Sequence, residues 1–561
     1  MSVSGSQPPT INTTPRRRAR SITEQNYLLR FADEINEDVE VPSSARNFID
    51  LPLFKSPSAK EKFLKSMASG VEKVKNLPKP QLFKNVSVSE LPLGMSVYKY
   101  QCVAFCILTG VFFTRWSCYL IYAFMWSVQL SALYFSFSGT KRPNYDATRR
   151  RYHTHAKLFE ANGVTILKPL HGVPERLAAN LETYFTLRYP KFELLLCIKE
   201  KKGQEKLIEL CESLMKKYPH VDCIISYGYQ SWGVNPKLCN MGTGYEIAKY
   251  DLTWVADANI VASDCVIQDL VEKCVSGEKV ALVHQIPWMI SGPGKTTNDP
   301  HSSMGYITGG SVLDRWYFAT GHSRCYFVIN NIFCTCLNGM SSIVKRQALE
   351  SVGGLEHFAQ FVAEDAEIGN SLDAAGYSSM LCAHAGLQNL AETSFATFID
   401  RRVRWARLRY NMPKVGMTAP FEILTEAHWY QVLLAMALCW HHDMWMYVVP
   451  VALVHAAAWC LVDGLQFALL DRSIGLPEAW EDTPNNNLFF DWGKVSTESG
   501  GLQRFMYNLF RHYILWIVRE VTVFIIIAKA LSDISAVAWG GKKFELRGGK
   551  SSTSVRQMKN K

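Results

Sequence analysis

The sequence predicts an α/β protein: a parallel sheet with helices on both faces, set between transmembrane helices on its N-terminal and C-terminal sides. Three observations predict it. From about residue 160, short apolar runs alternate with helix-patterned segments. An uncharged stretch at 117–137 is long enough for one helical crossing. After 420 the chain turns apolar again.

Composition sets the bounds. The 561 residues are 48% hydrophobic, which excludes a mostly disordered chain and suffices for an enzyme domain plus further parts. The formal net charge of +10 is spread rather than blocked, so basic flanks of membrane spans explain it better than nucleic-acid binding. The 15 cysteines include no CxxC pair, and "CTC" at 334–336 lacks zinc-site spacing. They read as reduced, cytosol-facing thiols or small buried apolar groups.

Residues 1–100 read as a basic, mostly disordered tail with "PRRRAR" and "DEINEDVE", without the apolar core of a cleavable signal. Part of 58–78 is alternatively a basic amphipathic helix on a membrane. Residues 101–140 form the first membrane segment. Within it, "CVAFCILTGVFF" (102–113) is too short to span alone, whereas "SCYLIYAFMWSVQLSALYFSF" (117–137) is not. The basic "GTKRPNYDATRRRYH" that follows predicts a cytosolic domain over 155–415.

In that domain "GVTILKPL", "FELLLCIKE", "VDCIISY", "DLTWVADANI" and "KVALVHQIP" read as strands. Between them, "PERLAANLETYFTL", "EKLIELCESLMKKYP", "MGTGYEIAKY" and "SDCVIQDLVEKCV" read as helices. Parallel sheets bind ligands beyond the carboxyl ends of their strands. Here those ends carry Lys168, Glu200, Asp257 and His284. "GPGKTTNDPHSS" (292–303) is a loop, either a linker or a flap near the site. Spans are expected near 424–440, 444–462 and 513–531 within a membrane region at 420–535, and 536–561 is a basic tail. Arg519 and Glu520 in the last span are expected to be paired and functional, or to snorkel to the interface.

The chemistry-bearing pieces come in order. "VADAN" puts Asp257 at the end of a buried strand. "FVAEDAEIGN" (361–370) places Glu364 and Asp365 side by side, and "RRVRW" (401–405) follows. Acids at 364 and 365 suit a helix start. Paired with "RRVRW", Asp365 reads better as a general base. A sugar-nucleotide transferase needs one carboxylate for a divalent ion on the diphosphate and a second to take the acceptor's proton. It also needs arginines for the leaving diphosphate and an aromatic ring against the acceptor. Lys237 in "VNPK" reads as a phosphate contact or a solvated lysine. Trp232 and Trp288 read as packing residues.

These pieces, with "LKPLHGV", "NLETYF", "GVNPKLCN", "LVHQIPW", "RRVRWARLRYNM", "WHHDM" and "VRE", resemble the ceramide glucosyltransferases. Those are a membrane branch of the inverting GT-A (Rossmann-like) glycosyltransferases of family 2. The resemblance covers roughly 117 to 548. It implies that Asp257 serves the donor and its Mg2+ or Mn2+ ion, that His284 serves the donor and that Asp365 is the base. It further implies that Arg401, Arg404 and Trp405 are the family's (Q/R)xxRW motif, the arginines toward the donor and the tryptophan toward the acceptor. UDP-glucose, ceramide and a cytosol-facing site in a multi-pass Golgi membrane protein follow as expectations. His284 on its own residue type is equally a core histidine.

One part departs from the pattern. Where the family has an aspartate-rich turn after its second strand, this chain reads "CIKEKKGQEKL". Glu200 or Glu205 is the substitute donor contact, Glu205 also suiting a helix start. Asn259 replaces a glycine two residues after Asp257. A catalytically impaired paralogue that binds lipid or a partner is therefore the alternative to an active enzyme.

Overall fold

A computed structural model of the protein describes residues 115–141, 143–290, 310–389, 393–411, 432, 435–439, 442–477, 480, 501–534, 536–539, 542–548 and 553–557. The N-terminal tail, the 102–113 stretch, the 292–303 loop and most of the expected 424–440 span lie outside the described residues.

Seven strands form the central sheet. They are β1 (Val164–Leu170), β2 (Phe192–Ile198), β3 (Cys223–Tyr227), β4 (Leu252–Ala256), β5 (Val280–His284), β7 (Ser341–Lys345) and β8 (Ser378–Leu381). Their order is β3-β2-β1-β4-β7-β5-β8. β6 (Pro287–Ile290) pairs separately with β9 (Gly386–Asn389). "VTILK" and "FELLLCI" are almost continuously apolar because both faces of the sheet are covered. Helix α3 (Glu205–Lys217) shows how: its Leu207, Cys211 and Leu214 share one face and are buried on the sheet. Helices α2 (Leu177–Phe185), α4 (Pro236–Glu246) and α5 (Asp264–Cys274) complete the alternation with the strands.

The sheet is mixed, not wholly parallel. β1 to β4 run parallel, but β7 lies antiparallel between β4 and β5. Its direction matters for the site. An antiparallel neighbour begins where β4 ends, so the turn before β7 sits at the carboxyl edge. There the Asp257 N–H donates to the Met340 carbonyl at 2.9 Å.

The first apolar helix is α1 (Arg115–Gly139). After the β6 region come α6 (Gly310–Tyr317) and α7 (Ser323–Val328), each followed by a π-helical turn. Then come α8 (Glu364–Ala374), α9 (Phe395–Tyr410), α10 (Val448–Asp471) and α11 (Gly501–Ser532). Two segments, Cys118–Gly139 and Trp445–Asp471, are long and apolar enough to cross a membrane. Both turn large apolar side chains outward, among them Leu120, Phe124, Val449 and Leu453. α11 covers the expected span at 513–531 but carries Arg519, Glu520 and Lys529. Arg519 and Glu520 are both buried and bonded to each other, so they are paired rather than snorkelling.

The C-terminal basic stretch is an ordered antiparallel meander, Ala536–Trp539, Lys542–Gly548 and Thr553–Gln557. Val537 is buried against Val362 and Leu408, and Arg407 donates to the Ala536 carbonyl at 3.1 Å.

Candidate active site

Asp257 directly follows β4, and its side chain is about a third open to solvent, at 37%. Its Oδ1 lies 2.9 Å from the Lys237 ammonium. Lys237 comes from the first turn of α4, where Asn235 is the cap and Pro236 the first helical residue. The same ammonium donates to the Gly339 carbonyl and stands 3.5 Å from Glu364 Oε1. Burial pulls its pKa down, but Asp257, Glu364 and Asp365 outweigh burial and raise it, so it stays charged.

Opposite, Glu364 and Asp365 open α8. The buried Glu364 carboxylate accepts from Asn235 Nδ2 at 2.8 Å. Burial pushes its pKa up to about 7, against the pull of Lys237. Asp365 accepts from the Gly339 N–H at 3.0 Å through Oδ2 and from the Ala366 N–H at 2.9 Å through Oδ1. Burial raises its pKa as well, with those two N–H groups opposing. Gly339 suits the close approach: a Cβ there would stand 3.2 Å from Asp365 Oδ2, a tight contact. The two predicted acids therefore flank one turn. Gly339 touches Asp365, and Met340 touches Asp257.

The "RRVRW" motif lies on α9, which Ser394 caps by accepting from the Thr397 N–H at 3.1 Å. Arg401 pairs with Asp314 at 3.1 Å. Burial pulls its pKa down; Asp314 and, more weakly, Asp257 oppose this. Arg402, which the motif does not single out, is buried, bonded to Asp314 and packed over Tyr317 at 3.6 Å. It anchors the helix. Arg404 is half-buried, and among the described residues it makes no hydrogen bond or ion pair, which leaves its charge for an anionic ligand. Burial lowers its pKa too. Trp405 packs edge-on to Phe318 at 5.8 Å and stays partly exposed.

Other predicted residues sit elsewhere. Lys168 was expected on the open rim, but it is wholly buried. Its ammonium donates to the carbonyls of Asp257 at 2.7 Å and Ile260 at 3.3 Å. Burial lowers its pKa to about 7, Asp257 opposing. It shapes the turn after β4 and does not reach a donor. His284 is likewise wholly buried, its Nδ1 bonded to the Tyr326 hydroxyl, and burial lowers its pKa to about 3. It is a neutral imidazole behind the rim, as its core-histidine reading has it. Lys237 is not a solvated lysine: its side chain is 16% exposed and its ammonium faces three protein acceptors. Glu205 accepts from the Gly203 N–H at 2.9 Å and closes its own helix start. Glu200 is exposed and, among the described residues, pairs with Lys199 alone, at 3.3 Å, which leaves it open to a ligand. Trp288 is buried against Phe467, as a packing residue should be.

Asn235, Asp314, Gly339 and Tyr326 escaped the sequence reading. The only local signal among them was the N-P-K order of a capped helix start.

A divalent ion fits one position. Among the described residues, no three His, Cys, Asp or Glu side chains converge into a cage. Asp257 has a second oxygen beyond the one on Lys237, and its side chain is open to solvent. A hard cation held by one carboxylate together with a substrate's phosphate oxygens suits that donor set.

The family model described as "Glycosyl transferase family 21" matches residues 124–481. The chain is similar to ceramide glucosyltransferase 3 of Caenorhabditis elegans, 29% identical over 404 residues, covering 70% of this chain and 77% of the relative. It is also similar to the ceramide glucosyltransferase of Komagataella phaffii, 26% identical over 446 residues, covering 69% and 83%. A solved mannosyltransferase from Pyrobaculum calidifontis, in complex with GDP-Man and Mn2+, is similar at a TM-score of 0.33. It is 12% identical and covers 72% of this chain and 99% of that one. The resemblance to ceramide glucosyltransferases is borne out, under the family number 21.

Proposed function

The chain belongs to glycosyl transferase family 21, and from that membership we propose that it transfers glucose from UDP-glucose to the primary hydroxyl of ceramide, inverting the anomeric carbon. The observation that carries this reading is the pair of carboxylates held on one turn. Asp257 lies on the sheet side of Gly339–Met340 and Asp365 on the other.

Asp365 takes the hydroxyl proton as the acceptor oxygen attacks. Its raised pKa makes it a stronger base than an ordinary carboxylate, which favours that transfer near neutral pH. The bond from the anomeric carbon to the diphosphate breaks, and UDP leaves with the electron pair. One displacement inverts the centre, so no covalent enzyme intermediate is required. Arg404 and Arg401 neutralise the leaving diphosphate, and Trp405 packs against the acceptor. Asp257 would hold a Mg2+ or Mn2+ ion, which would supply charge neutralisation on the diphosphate. Glu200 contacts the nucleoside from the strand end.

The proposal includes a Golgi membrane location, several crossings and a cytosolic catalytic domain. The basic run of Lys141, Arg149, Arg150 and Arg151 after α1 supports that orientation. The impaired-paralogue alternative draws only on the altered 199–205 turn, whereas the intact Asp257–Lys237–Glu364–Asp365 group favours an enzyme.

The test is transfer by the full chain in microsomes supplied with UDP-glucose and a labelled ceramide. Labelled glucosylceramide is expected. No product at any donor concentration would refute the reading.

A further inference from the structure

Three segments far apart in sequence meet at the first turn of α4. Asn235 is bonded on all sides. Its N–H donates to the Ala359 carbonyl at 2.9 Å. Its Oδ1 accepts from the N–H groups of Lys237 and Leu238 at 3.0 and 3.1 Å. Its Nδ2 donates to the Phe361 carbonyl at 2.9 Å and to Glu364 Oε2 at 2.8 Å. Just before it, Gly233 packs so close to the 359 backbone that a Cβ would stand 2.4 Å from the Ala359 carbonyl oxygen. Only glycine permits that approach. The turn therefore grips the loop that delivers the base.

Lys237 adds the other half. An ammonium has three N–H donors and no acceptor. Three acceptors face it: Asp257 Oδ1, the Gly339 carbonyl and Glu364 Oε1. One comes from the end of β4, one from the turn before β7 and one from the start of α8. With its side chain only 16% exposed, the ammonium is directed at these three protein groups rather than outward.

We propose that Lys237 is the positioning residue of the transfer reaction: with Asn235 it sets the spacing between the donor-side carboxylate, Asp257, and the base, Asp365. Lys237 acts through these neighbours and touches neither substrate. A compact ammonium addresses three converging acceptors. A planar guanidinium does not, because its donors lie in one plane and fork outward. Glu364 is the second arm of the device, holding the base loop to Lys237 and Asn235 through its two oxygens.

The two arms make different predictions. Lys237→Met releases both, so donor KM rises several-fold and kcat falls on the order of 10²-fold, as a misplacement of about 1 Å can do. Lys237→Arg does not restore either. Glu364→Gln keeps an oxygen for Lys237 but turns an amide toward Asn235 Nδ2, so kcat falls while donor KM stays near wild type.

The inference rests on the proposed transfer of glucose to ceramide, and the experiment separates the two. The full chain and the three variants are purified in detergent. For each, the UDP-glucose titration, kcat and thermal midpoint are measured. A wild type without transfer refutes the functional reading. A working wild type beside a folded Lys237→Met with unchanged kcat and donor KM overturns the positioning role. If Lys237→Met does not accumulate folded, Glu364→Gln decides. A kcat loss at constant donor KM supports the device, and an unchanged kcat, or a matching shift in both, overturns it.

Discussion

Asp365→Asn is the most direct perturbation of the proposed reaction, and its size follows from how the carboxylate is held. Each oxygen of Asp365 already accepts one backbone N–H, from Gly339 and from Ala366. A carboxylate oxygen has a second lone-pair position, so the native base keeps room for the acceptor's proton. Asparagine removes that base, which lowers rate by roughly 10²–10⁴, or about 2.7–5.5 kcal/mol of barrier. It also turns an NH2 toward one of the two N–H groups, leaving a buried donor without its acceptor at about 1–3 kcal/mol. That second effect strains the Gly339 turn, but Asp257 and Lys237 keep their own contacts. Transfer from UDP-glucose to labelled ceramide should therefore fall by at least about 10²-fold, while UDP-glucose binding, titrated separately on the purified variant, changes little. Near-wild-type turnover would refute the assignment of Asp365 as base. Equal loss of donor binding and turnover would refute the separation of the two carboxylates.

Further outcomes follow from the same geometry. The acid limb of kcat/KM should lie above the ordinary carboxylate range, because burial raises the pKa of both Asp365 and Glu364, and protonating the base as pH falls stops transfer; a limb near pH 4 in a pH–rate profile would contradict this. Glu200→Gln should weaken the UDP-glucose titration without changing turnover at saturation, whereas Glu205→Gln, whose carboxylate closes its own helix start, should leave the titration near wild type; the reverse result would move the donor contact to Glu205. Protease added to sealed Golgi vesicles should cut within 160–410, and a protected domain would overturn the cytosolic orientation.

Much of the fold was legible because the signal was local. Apolar runs of strand length alternating with helix-patterned segments report β1 to β5 and their helices directly. The antiparallel β7 was not legible, since "SSIVK" looks the same in either direction and its neighbours are set by long-range pairing. The acids of the candidate site stood out by residue type and order, but orientation at a strand end did not. Lys168 and His284 stand at ends that read as open rim, yet both side chains turn inward to buried oxygens. Lys237 was visible as a cation and not as a junction, because its three partners lie in segments up to about 130 residues away. The C-terminal meander was hidden by its basic composition, which resembles a tail.

The apolar helices reach the same rim through polar links as well as through apolar packing such as Phe467 on Trp288 and Trp316. Asp463 of α10 accepts from Arg324 of α7 at 2.5 Å, from Arg519 of α11 at 3.3 Å and from Gln129 of α1 at 2.9 Å. Trp516 adds a fourth donor at 2.9 Å. A charge buried among apolar helices is tolerated only when paired, and removing one partner destabilises by about 3–5 kcal/mol. Such a pair adds little net stability, but its directional bonds tie α1, α7, α10 and α11 to one buried carboxylate. Two residues beyond Arg324 on α7, Tyr326 bonds His284 at the end of β5. On the preceding helix, Asp314 holds Arg401 and Arg402 of α9. Arg324, which bonds Asp463, thus lies on the same helix as the residue that bonds the sheet edge, and that helix is next in sequence to the one that holds the "RRVRW" helix. A base that meets the headgroup of a lipid, as proposed for Asp365, requires a fixed height above the membrane, and the buried charge pairs and close-packed rings together set one.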